Sequence, residues 1–162
     1  MKIIGLFLSL LPLIISSCST EYSCSDTSIT PVFINFQPSD IDTLVLRKYA
    51  VNSNFTNPLD SEQINFGYSG YYISNNDSTT VQLFSEKLSI KTGFDWQIFI
   101  PSKNRTINIS QIKSEKRIDK CSHGIFSMDK VACDCTNRIF SCSQDTQPVS
   151  FTNFPYNIYI TN

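Results

Sequence analysis

The sequence predicts an all-β fold, a single β-sandwich of immunoglobulin-like or related type with about seven strands. Three observations predict it. Phe, Tyr, Ile and Val are abundant, with many Asn, Ser and Thr; the first group suits half-buried pleated surfaces and the second suits turns. Helix formers are scarce, Ala50 and Ala132 being the only alanines. Short apolar alternations recur at roughly ten-residue intervals between turn signals, the spacing of a sandwich. A partly open barrel competes and is not separated by spacing.

Each strand has its own warrant. Val32, Ile34 and Phe36 alternate on one face and stop at Pro38-Ser39-Asp40. Thr43 to Tyr49 follows, closed by Asn52-Ser53-Asn54, and Asn57-Pro58-Leu59-Asp60 reads as loop. Tyr71-Tyr72-Ile73 is a short strand ended by Asn75-Asn76-Asp77, and Thr79 to Phe84 aligns Val81 with Leu83. Trp96, Ile98 and Ile100 share a face, which makes Trp96 a core residue, and Pro101 ends the run. Ser102-Lys103-Asn104 turns the chain into Arg105 to Ile109, a hairpin that Ile112 to Ile118 extends or follows. Thr136 to Phe140, Val149 to Phe151 and Ile158 to Thr161 complete the set.

The first seventeen residues stand apart. Lys2 precedes an apolar run from Ile3 to Ile15 and a Ser16-Ser17 exit. A run this short, with a basic start and small residues at its end, describes a secretory signal peptide rather than a spanning helix of about 20 residues. Ile15-Ser16-Ser17-Cys18 resembles a bacterial lipobox. That resemblance implies cleavage before Cys18 and a diacylglyceryl group on its thiol. The organisation expected is a signal peptide at 1–17, the lipidated cysteine with a flexible tether at 18–30, and the sandwich at 31–162. The tether is small and polar, with Glu21 and Asp26 its only charges.

Asp42 to Tyr49, Trp96 to Pro101 and the cysteine-bearing C-terminal third together resemble small uncharacterised lipoproteins of Bacteroidota-type bacteria. The resemblance implies a β-sandwich lodged at the outer membrane of the cell envelope, on its periplasmic or its surface side. It transfers no activity, and Cys18 is the only functional residue it suggests.

Charge excludes one class of partner. Thirteen Lys and Arg face 14 Asp and Glu, and losing Lys2 with the signal makes the remainder slightly more acidic. Nucleic acid is therefore not expected, since phosphate binding needs clustered positive charge. The single basic cluster, Lys113 to Lys120, is interrupted by Glu115 and Asp119 and reads as a solvated face.

With Cys18 lipidated, Cys24, Cys121, Cys133, Cys135 and Cys142 remain, and thiols outside the cytoplasm tend to pair. Cys24 on the tether is the expected odd one. Cys133 and Cys135 are not expected to bond each other, since side chains two apart on a strand point the same way without easy S–S geometry. Cys121 is then expected to pair with one of them and Cys142 with the other. Cys121, His123, Cys133 and Cys135 also make a Cys/His set of four, but one residue inside each pair is short for structural zinc. No metal and no cofactor are expected.

Catalytic chemistry finds little footing. His123 is the only histidine, Gly67-Tyr68-Ser69-Gly70 falls one residue short of a nucleophile elbow, and no glycine-rich phosphate loop occurs. Tyr68, Tyr71 and Tyr72 beside Gly67 and Gly70 are ligand-stacking candidates, though cross-strand packing is the favoured account of such tyrosines. The expected function is a non-catalytic structural or binding module, held to the membrane by its lipid and meeting another envelope protein or a glycan. Alternatives are a small envelope enzyme, such as a carbohydrate-active hydrolase, or a freely secreted β-domain.

Overall fold

A computed structural model describes residues 24–66, 71–74, 80–83, 86–122 and 132–162. The described chain is all β, arranged as two sheets. The larger holds β2 (Thr43–Tyr49), β3 (Asp60–Asn65), β7 (Asp95–Ile100), β8 (Arg105–Ser122), β9 (Ala132–Gln144) and β10 (Gln147–Ser150), in the order β10-β9-β8-β7-β2-β3. Every pairing within it is antiparallel. The smaller holds β1 (Ser28–Ile34), β4 (Tyr71–Ser74), β5 (Thr80–Leu83), β6 (Ile90–Lys91) and β11 (Tyr156–Thr161), in the order β11-β1-β5-β4. β5 and β6 both lie antiparallel to β1, one after the other along it. β1 and β11 run parallel, Ile29 opposite Tyr156 through Ile34 opposite Thr161.

The described residues thus form eleven strands, more than the seven expected. β3 escapes sequence reading because Asp60-Ser61-Glu62-Gln63-Ile64-Asn65 offers one apolar side chain, Ile64. A polar strand of that kind suits a sheet edge, where exposed backbone is protected from unwanted pairing. β6 is too short to leave a pattern.

The core lies between the sheets. Ile29, Phe33, Val81, Ile90, Ile158 and Ile160 face Leu44, Leu46, Ile98, Ile107, Ile109 and Ile139 across it. Trp96, Ile98 and Ile100 point inward together as predicted. Fully burying a side chain of this size stabilises by about 1.5–3 kcal/mol. The face expected for β1 needs correction: Ile29 and Phe33, not Ile34, enter the core. Asn35 has a φ of 62° and interrupts the alternation, so Phe36 returns to the core beyond the strand's end. Val32 is buried on the opposite face, in register with Tyr159 and Gln82.

Turns follow their residues. Asp145 and Thr146, with φ of 45° and 72°, link β9 to β10; positive φ at both central positions is the type I′ hairpin requirement. Asn104, left-handed after the Pro101–Lys103 turn, reverses the chain into β8. Asp95, the only buried charged residue among those described, accepts the Asn52 backbone N–H at 2.9 Å and holds the turn after β2.

Candidate functional site

β8 and β9 are far longer than their neighbours. β7 pairs with β8 only over Arg105 to Ile109, whereas the β8–β9 ladder continues to Ser122 opposite Ala132. Gln111, with a φ of 51°, stands where the register first shifts, and side chains from Lys113 to Ile118 are all exposed. The two strands therefore run on past β7 as a two-stranded ribbon, from whose base Ile139, opposite Ser114, still enters the core.

The outer edge of β9 is covered in two places. Its C-terminal part pairs with β10, and the chain stays alongside as the Phe151 N–H donates to the Phe140 carbonyl at 2.9 Å. Farther along, the incoming N-terminal segment docks. Ser25 bridges Thr136, its N–H donating to the Cys135 carbonyl at 2.9 Å, while the Asn137 N–H donates to the Ser25 carbonyl at 3.2 Å. The Thr27 hydroxyl donates to the Asn137 carbonyl.

Between these two coverings lies a groove of about 310 Å³, lined by Arg117, Thr136, Arg138, Thr152, Asn153, Phe154 and Tyr156. Arg117 and Thr136 are register partners, and Arg138 stands opposite Glu115 on the same side of the ribbon. Arg138 donates through Nη2 to the Thr152 carbonyl at 2.7 Å, which fixes one wall. Phe154 is 72 % exposed, and its ring packs edge-on against Tyr156 at 5.8 Å between centroids. Two guanidinium forks beside an accessible aromatic ring suit an anionic oxygen group with an apolar or amphipathic body.

A second depression of about 350 Å³ lies along β9 and β10, with Cys142, Ser143, Pro148 and Val149 in its lining. Burial pushes the Cys142 thiol up to about 11. A thiol so shifted stays protonated at neutral pH and is a poor nucleophile.

The cysteines differ from expectation. Cys24 is not the odd one: it bonds Cys135. The Ser25 bridge explains this, for it carries Cys24 to the edge of β9 with the two Cα atoms 4.5 Å apart. Cys142 is not in a disulfide either; it is a free thiol packed in the core. Cys121 and Cys133 are direct register partners in the β8–β9 ladder. With Cys135 in a disulfide, the Cys/His set of four loses one ligand. Within the 18–30 span expected to be flexible, Cys24 is bonded to Cys135 and β1 begins at Ser28.

Cys18, Tyr68 and His123 lie outside the described residues. Tyr71 and Tyr72 lie on β4, the end strand of the smaller sheet's path, in register with Leu83 and Gln82. The Arg117–Arg138 groove was not anticipated. The basic cluster on β8 holds half of its signal, but Arg138 comes from the neighbouring strand β9, some twenty residues on, and Phe154 from an irregular connection. Compared with family models, with curated proteins and with solved structures, the chain matches none.

Proposed function

We propose that this protein is a lipid-anchored module of the cell envelope, tethered through Cys18 to the outer membrane, with a binding or structural rather than catalytic role. The observation that carries the reading is the placement of Cys24. Five residues after the lipobox-like cysteine, 19–23, the chain is locked to β9 by the Cys24–Cys135 bond. A domain gripped this close to its acylated residue suits presentation at a membrane surface. A disulfide suits the oxidising compartment that a signal peptide leads to.

The partner is another envelope protein or a glycan. β4, which carries Tyr71 and Tyr72, ends the smaller sheet among the described residues, and a strand of the partner could add there. The groove lining of two arginines, two threonines, an asparagine and two aromatics suits holding a ligand. A hydrolase would instead call for paired carboxylates.

The test is acylation. Detergent-extracted protein is expected to carry acyl chains on its N-terminal peptide and to partition with membranes. Cys18→Ala is expected to lose both. An unmodified N-terminus on membrane-free protein would replace this reading with a freely secreted domain.

A further inference from the structure

We infer that the Arg117–Arg138–Phe154 groove binds the anionic headgroup phosphate of the membrane in which the protein is anchored, seating the β8–β9 ribbon against the bilayer. The inference rests on the anchored reading above and joins two separate observations.

The first is the groove's chemistry. Arg117 and Arg138 line one opening, and Arg138 is already oriented by its bond to the Thr152 carbonyl at 2.7 Å. Guanidinium groups match phosphate oxygens in a forked, two-bond geometry. Phe154, at 72 % exposure in the same lining, places apolar surface beside those cations. Cations with flanking aromatic and aliphatic side chains are what an interface between headgroups and acyl chains rewards. Glu115, opposite Arg138, offsets part of the charge, and Lys113 and Lys116 on the same strand restore it.

The second is distance. Thr136 lines the groove and is adjacent to Cys135, the residue bonded to Cys24. From Cys18 to Cys24 is six residue steps, a span of at most about 20 Å when fully extended. The lipid attachment therefore cannot stand far from the groove, and headgroups lie within its reach. A headgroup held there would supply a second attachment beside the acyl chains, at a high effective concentration.

Two measurements test this. The mature chain bearing Cys18→Ser is mixed at low ionic strength with vesicles of phosphatidylcholine alone or enriched in phosphatidylglycerol, and sedimented. Binding is expected only to the anionic vesicles. Arg117→Gln is expected to weaken it about five-fold and Phe154→Ser to weaken it further. Glu115→Gln is expected to strengthen it, and Lys103→Gln, in the Pro101–Lys103 turn before β8, to leave it unchanged. Binding that ignores Arg117 and Phe154, or no vesicle binding, overturns the inference. Binding of inorganic phosphate without binding of vesicles also overturns it, and makes the groove a site for free anions. In the acylated protein, F154W supplies a fluorescent reporter, quenched by brominated acyl chains if the groove rests on the membrane and unquenched if it does not. Failure of Cys18 acylation shows in the N-terminal mass alone. Failure of the groove shows in vesicle binding or quenching while the acyl mass is intact.

Discussion

Ile109 and Ile118 occupy the same strand, yet Ile109 is fully buried and Ile118 is 48 % exposed. The contrast separates two regions with different sources of order. In the body, β8 lies between β7 and β9 and buries Ile107 and Ile109 against the opposite sheet. In the ribbon, among the described residues, it pairs only with β9, and Lys113 to Ile118 contribute no core. A two-stranded ribbon in water is marginal on its own. Here it is reinforced from β9's free edge by Ser25 and by the Cys24–Cys135 bond. The body is held by apolar burial, whereas beyond Ile139 the ribbon is held mainly by ladder bonds and a covalent staple, at the place where the N-terminus enters.

The comparison breaks first in the body. Phe33→Ala removes a ring at 0 % exposure, in edge contact with Phe36 at 5.6 Å. It is expected to cost about 3–5 kcal/mol in denaturant unfolding. A cost below about 1 kcal/mol would mean the two sheets do not share the core described.

Removing the staple with Cys24→Ser and Cys135→Ser is expected to cost about 2–4 kcal/mol, because the bond closes a long loop in the unfolded chain. The distinguishing readout is amide exchange. Protection should fall at Ser25, Asn137 and along the ribbon, while Ile98 and Ile107 keep theirs until global unfolding. Uniform loss would abolish the distinction between the regions.

A smaller effect is expected where polar groups finish the body. Asp95→Ala strands the Asn52 N–H and is expected to cost about 1–3 kcal/mol, read as a lower urea midpoint. Asp40→Asn is the mildest. Partial burial raises the Asp40 carboxyl, but the Lys103 ammonium at 3.0 Å and the Gln37 N–H outweigh it, leaving it below its ordinary value. A depressed folded-state value contributes stability above the unfolded value, lost as pH falls through the folded one. Asp40→Asn should therefore cost less than about 1 kcal/mol near neutrality and nothing in strong acid. An equal loss at both pH values would show that the ion pair is not its source.

The same division marks what the sequence made legible. Where one face is apolar and the other polar, as in Trp96-Gln97-Ile98-Phe99-Ile100, period-two alternation identifies the strand and its buried side. Where the chain is held by edge pairing, pattern fails. β3 offers only Ile64, and the ribbon continues through Lys113-Ser114-Glu115-Lys116-Arg117, where no alternation marks a strand. Asn35 misled differently, since one left-handed residue changes the face of everything after it. The cysteine pairing was hidden because composition made residues 19–28 look like free tether, whereas Ser25 borrows the edge of β9. The groove was hidden for the same reason, as its members meet only through the crossover from β10 to β11 and the β8–β9 register.

The most direct test of the account is a tryptic map of detergent-extracted protein without reduction. Cys18 and Cys24 fall in one peptide ending at Arg47, Cys133 and Cys135 in 131–138, Cys121 in 121–130 and Cys142 in 139–162. Direct register places Cys121 and Cys133 within the Cα spacing a disulfide needs, so they are expected to form the second bond. The account predicts one species of three linked peptides, 18–47, 131–138 and 121–130, carrying acyl mass on Cys18, and a separate 139–162 peptide with a free thiol. Peptide 139–162 joined to any other, or 18–47 without acyl mass or unlinked to 131–138, would contradict it.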